Sequence, residues 1–195
     1  MNKKEIIWRE ILYQTIEKNI EQFIQKELAQ KFSISLSTVF NALKVPRQLK
    51  IIEVTGRNFR IINKEKFLYL WATYRNLKKD IIYQTKVDLP PKKIEALMPP
   101  KIIYGLYAAY NQRFDDQPAD YDKVYIYSTE KELGKIKKRF PFKKGYFNLV
   151  ILKQDKFLHN YGETTPLCQT FVDLWNVGEW YAQDFLNALK NKINI

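Results

Sequence analysis

The stretch Glu27–Leu43, ELAQKFSISLSTVFNAL, decides how this chain is read. Just before and within it, Gln25–Phe32 places Leu28, Ala29 and Phe32 on one face of a helix. Ser33-Ile34 interrupts that periodicity. Ser35 is an N-cap candidate, since its hydroxyl can accept from an orphan amide at the start of the next helix. That next helix is expected from Leu36 to about Lys44, with Pro46 ending or kinking it for want of an amide hydrogen. Leu36, Val39, Phe40 and Leu43 form its expected apolar face. Ser37, Thr38 and Asn41 point the other way, with Lys44 at the end. A bracing helix, a tight turn, and a second helix with short polar side chains near its start make a helix-turn-helix pattern. Such side chains suit base edges and phosphates in a major groove. Two features depart from the pattern: Ser33 stands where glycine is common in the turn, and Pro46 shortens the second helix. The competing reading is an ordinary helical pair with a serine cap.

The flanks complete a larger unit. Upstream, Ile7, Ile11, Leu12 and Ile16 predict an amphipathic helix over Lys3–Asn19, followed by the apolar pair Phe23-Ile24. Downstream, Ile51–Val54 and Phe59–Ile62 flank Thr55-Gly56-Arg57-Asn58, which predicts a hairpin. The order of helix, helix, turn, helix and hairpin predicts a winged helix-turn-helix over residues 1–66. Lys44, Arg47, Lys50, Arg57, Arg60, Lys64 and Lys66 outnumber Glu53 and Glu65 there. Expected DNA contacts are Ser35, Ser37, Thr38 and Asn41 at the groove, and Lys44, Arg47, Lys50, Arg57, Asn58 and Arg60 on the phosphates, which position a protein without reading sequence. A merely solvated charged hairpin is the alternative.

Residues 67–195 are expected to form a mixed α/β second domain, which makes the chain α+β overall. Phe67–Asn76 reads as a bridging helix, Ile81–Val87 as a strand, and Pro90-Pro91 and Pro99-Pro100 bracket a short helix. Ile102–Asn111 reads as a buried helix, Val124–Tyr127 and Phe147–Leu152 as strands. Thr129 and Glu132 make a capping-box pattern ahead of a helix ending near Arg139. Leu167–Ile193 is helical with a break at Gly178. A second basic run, Lys131–Lys144, reads as a solvated helix face. Trp175 and Trp180, with Tyr181, Phe185 and Leu189, are spaced as core residues rather than as a base-stacking platform.

Composition sets the outer bounds. The chain has 195 residues, a net charge of +12, and a calculated pI of about 9.5, the electrostatic footprint of a nucleic-acid binder. One cysteine, Cys168, and one histidine, His159, allow neither an internal disulfide nor a Cys/His zinc set. Six glycines give no Gly-rich phosphate loop. No cofactor or metal is expected. No apolar run has the length of a membrane span, and the N-terminus lacks signal-peptide features, so a cytoplasmic protein is expected. Cys168 reads as a buried structural thiol.

Three segments together resemble the AbiEi-type antitoxins of type IV, or abortive-infection, toxin–antitoxin systems: the helix-turn-helix pattern, PPKIIYGLYAAY at Pro99–Tyr110, and TPLCQTFVDLWNVGEWYAQDFLNAL at Thr165–Leu189. The resemblance implies a repressor of its own operon, bound to double-stranded operator DNA. It also implies a functional pairing with a nucleotidyltransferase-like toxin without a stable complex. The oligomeric state is not fixed by sequence, a homodimer being one option. Two alternatives remain. One is a solitary ligand-sensing regulator. The other is a nucleotidyltransferase, suggested by Gly105-Leu106 followed by Asp120 and Asp122. Leu106 replaces the small residue needed near phosphate, and the aspartates fall in a loop rather than on a rigid strand, so catalysis is not expected.

Overall fold

Buried side chains alternate or recur with the periods their elements impose, and they sort the chain into two sheets wrapped by helices. The computed structural model describes residues 1–195. The chain is α+β. Its first part contains α1 (Lys3–Glu17), β1 (Gln22–Ile24), α2 (Gln25–Phe32), α3 (Leu36–Gln48), β2 (Ile52–Thr55) and β3 (Asn58–Ile61). The apolar pair Phe23-Ile24 thus belongs to a strand, β1, which the sequence pattern left unassigned. The three strands form an antiparallel sheet in the order β1-β3-β2. Phe23 and Phe59, directly paired across it, stack at 5.2 Å between centroids.

Helix α3 is longer than its sequence predicts. Pro46 lies inside it, buried, and the helix continues to Gln48. Proline removes the amide that would have bonded the Ala42 carbonyl four residues back. The indole Nε1 of Trp8 donates to that carbonyl instead, at 2.8 Å, so no acceptor is stranded. The turn before α3 is tight because Ser33 sits in the left-handed region (φ 51°), where a glycine is the usual residue.

Beyond the first sheet come α4 (Lys64–Tyr74), a short 3-10 turn, β4 (Ile81–Thr85), α5 (Pro91–Ala96), β5 (Ile103–Tyr104), α6 (Leu106–Phe114), β6 (Val124–Ser128), α7 (Glu130–Arg139), β7 (Leu149–Lys153), α8 (Leu167–Trp175) and α9 (Ala182–Ile193). The expected helix over Ile102–Asn111 is a two-residue strand followed by α6. The change of element falls at Gly105, whose amide bonds the Tyr125 carbonyl across the sheet.

The second sheet runs β4-β7-β6-β5, with β6 and β7 parallel and joined through α7. Successive side chains on a strand point to opposite faces. Val124, Ile126, Leu149 and Ile151 accordingly pack with Ile94 of α5 and Ile136 of α7. Tyr125, Tyr127, Val150 and Leu152 join the larger core on the other face, with residues of α6, α8 and α9.

That larger core does not stop at residue 66. It extends from Ile6 to Ile193, because α1 packs against α3, α4 and α8. The expected amphipathic α1 is therefore buried nearly all round, and its polar residues need internal partners. Arg9 is fully buried and bonds both carboxylate oxygens of Asp155, at 2.6 and 2.8 Å, and Gln169 at 3.1 Å. Glu10 accepts from Lys31 of α2 at 2.5 Å and from Tyr161 at 2.6 Å. Arg75, at the end of α4, reaches Asp80 at 2.6 Å and Asp173 at 3.1 Å. No helix is long and apolar enough to cross a membrane.

Candidate nucleic-acid interface

Helix α3 is fixed from beneath and free above. Val39, Ala42, Leu43 and Pro46 recur at i, i+3, i+4 and i+7 and form its buried stripe. Leu36 and Phe40 were expected in that stripe and are not in it. They are 53% and 50% exposed. The four buried positions already fill one face; Phe40 lies about 100° from Val39, and Leu36, closer to the stripe in azimuth, sits in the first turn of the helix, where no element covers it.

The outer face therefore presents Leu36, Ser37, Phe40, Asn41 and Lys44, all exposed. Ser35 caps the helix, its hydroxyl accepting from the Thr38 amide at 3.2 Å. The same hydroxyl lies 2.9 Å from Ser37 Oγ and 2.8 Å from Thr38 Oγ1. Ser35, Ser37 and Thr38 thus form one small hydroxyl cluster at the helix start. Thr38 is half-buried, and the rest of the expected contact residues are exposed. Asn41, Lys44, Arg47 and Lys50 make no side-chain hydrogen bond or ion pair within the molecule. They are held on or just after a rigid helix with their bonding capacity unspent.

The hairpin contributes a second, less uniform group. Gly56 takes φ +62°, as the tight turn between β2 and β3 requires, with open space around it. Arg57 and Asn58, at that turn, are exposed, and their side chains are unpaired. Arg60 is not: its Nε lies 2.6 Å from Glu53 Oε2, its directly opposite neighbour on β2. The carbonyl of Arg57 accepts from the Gln25 amide at 3.4 Å, which ties the turn to the start of α2.

Between the hairpin and α3 lies a groove of about 400 Å³, lined by Gln25, Phe40, Lys44, Arg47, Gln48 and Val54 among others. The structure brings Lys44 and Arg47 together on this groove. It also adds Phe40, Gln25 and Gln48, which sequence reasoning missed. The available signal was the stripe Val39-Ala42-Leu43-Pro46, which is complete without Phe40.

Other sequence-derived groups fall elsewhere. The basic residues of α7 lie across the second sheet from α8. Lys135 pairs with Glu132 at 3.0 Å and Lys137 stands 5.2 Å over the Tyr83 ring, as suits a solvated helix face; Lys143, beyond the helix, pairs with Asp88. Asp120 and Asp122 occupy the loop before β6, where Asp122 accepts from Tyr181 at 2.6 Å and Tyr146 at 3.1 Å. Cys168 is fully buried, its thiol pushed up by that burial. Trp175 and Trp180 were both expected in the core and are 43% and 77% exposed: Trp175 ends α8, and the segment 176–181 between α8 and α9 is not helical and carries Trp180 outward.

No protein-family model matches the chain, and neither does any curated protein or solved structure.

Proposed function

We propose that this chain is a DNA-binding transcription regulator, and that α1 through β3 form a winged helix-turn-helix with α3 as the recognition helix. The observation that carries the reading is the outer face of α3. Asn41 and Lys44 stand there unpaired on a helix anchored by four buried residues, and the unpaired Arg57 stands on the adjoining hairpin. Asparagine can bond an adenine edge through two hydrogen bonds, and an exposed phenylalanine such as Phe40 can meet a thymine methyl. Lys44, Arg47, Lys50 and Arg57 supply phosphate contacts, and the net charge of +12 favours a polyanion. The narrower form of the proposal, following the resemblance, is an autorepressing antitoxin that counters a nucleotidyltransferase-like toxin.

The test is duplex binding by fluorescence anisotropy across a range of salt. The expected result is an affinity whose logarithm falls linearly with log salt, by roughly 0.9 per phosphate contacted. On a selected binding sequence, Asn41→Ala should cost about 1–3 kcal/mol of discrimination at one base pair. Binding that is insensitive to salt, or absent, removes the proposal. Failure of the chain to relieve growth arrest by the co-expressed toxin removes only the antitoxin form.

One observation favours a second reading, in which α3 contacts protein. Leu36 and Phe40 put two large apolar side chains on the same face, and aromatic anchors of this kind concentrate binding energy at protein interfaces. Self-association abolished by Phe40→Asp, with no salt-dependent DNA affinity, would select it.

A further inference from the structure

A cavity of about 800 Å³ opens at the amino ends of β6 and β7, away from α3. Its walls come from the 3-10 turn after α4, from β4, and from two loops that carry Tyr146 and Trp180. That volume is in the range of pockets that hold small organic ligands.

The two carboxylates of the cavity are both engaged by its own walls. Glu179 accepts from Lys123 Nζ at 2.5 Å and from the hydroxyls of Tyr125 at 2.9 Å and Tyr107 at 3.2 Å. Asp122 takes both of its tyrosine hydroxyls on Oδ1. These bonds fix the aromatic walls, and the Lys123 ammonium balances the charge of Glu179. The groups left over are of another kind. Trp180 is held edge-on to Tyr181, with ring centroids 5.4 Å apart at 81°, and the rest of its ring faces solvent. The Lys78 ammonium and the Gln84 carboxamide, both lining the cavity, have no intramolecular hydrogen bond or ion pair. Asn176 steadies the Trp180 loop by donating from Nδ2 to the Ala72 carbonyl of α4 at 2.9 Å.

An exposed indole face, one free positive charge and one free amide on a preformed cavity match a flat ring bearing an anion. We infer that this cavity binds a planar heteroaromatic anion of the mononucleotide class. The base stacks on Trp180, Lys78 pairs with the phosphate, and Gln84 bonds the ring edge. The site shares no residue with the proposed DNA contacts, so it stands or falls independently of that reading.

The experiment uses the full chain without DNA. AMP and GMP are titrated against tryptophan fluorescence, with adenosine and inorganic phosphate run alongside. Saturable quenching by at least one nucleotide is expected, with adenosine weaker than AMP and phosphate alone leaving the signal unchanged. Calorimetry then follows the variants. Trp180→Ala, at an exposed position where folding is not at stake, should weaken the nucleotide about tenfold, as loss of a stacking partner does. Lys78→Ala should bring AMP down to the affinity of adenosine. The inference is overturned by no saturable binding of either nucleotide, by adenosine binding as tightly as AMP, or by an unchanged affinity in Trp180→Ala.

Discussion

Trp8 and Pro46 meet through one carbonyl oxygen: Pro46 denies Ala42 its helical donor, and the Trp8 indole supplies the replacement at 2.8 Å. The bond joins α1 to the middle of α3. It allows a proline inside the helix that bears the candidate contact face. Trp8→Phe should therefore destabilise the chain by about 1–3 kcal/mol, the usual cost of stranding a buried acceptor, with some packing loss added. Pro46→Ala restores a backbone amide at that position. It should recover much of the loss in the Trp8→Phe background while giving little in the wild type, a coupling that a double-mutant cycle in urea denaturation measures.

The hairpin arginines should behave differently from each other. Arg57 is free, so Arg57→Ala should lower DNA affinity for all sequences and reduce the salt slope by about 0.9. Arg60 already spends its charge on Glu53, so Arg60→Ala should change the slope less. Glu53→Gln frees Arg60 and should raise affinity. Equal slopes for the two arginine variants in anisotropy titrations would count against the ion pair persisting on DNA.

Phe40 separates function from stability. It is half exposed and lies outside the buried stripe of α3, so Phe40→Ala should move stability by no more than about 0.5 kcal/mol in denaturant melts. It should nonetheless weaken binding to the selected duplex, most at a thymine-containing step. Val39→Ala, one residue earlier and fully buried, should do the reverse, costing about 1–3 kcal/mol of stability.

The Arg9–Asp155 pair makes a pH prediction. Burial pushes the Asp155 carboxyl up, but the hydrogen bonds and charge of Arg9 outweigh it and hold the group below the usual carboxylate range. A carboxyl whose folded pKa lies below its unfolded value stabilises the fold above the unfolded pKa, about 3.9, and loses that contribution as pH falls through the folded value. Asp155→Asn leaves Arg9 buried without a counter-charge and should cost about 3–5 kcal/mol at neutral pH. The gap between wild type and variant should begin to narrow as pH falls below roughly 4 and close only below the folded value, where the wild-type carboxyl in turn becomes neutral. A gap constant with pH in thermal melts would show that the variant acts through packing alone.

The sequence by itself located most of the elements and the polar candidates on α3, since local periodicity and capping fix those: Ser35 caps, Asn41 and Lys44 face outward, and Gly56 turns the hairpin. Its errors fall where contacts distant along the chain decide. Phe40 and Leu36 have helical spacing suited to a core, yet no partner element reaches them. Trp180 has the same spacing, but the helix it was assigned to is broken by the 176–181 segment. Pro46 reads as a helix stop until a tryptophan 38 residues earlier meets the orphan carbonyl. Arg60 reads as a free cation until strand register sets it opposite Glu53. Only the tertiary structure decided these, because a side chain's burial and partners depend on what the rest of the chain packs against it, and periodicity records only which way it points.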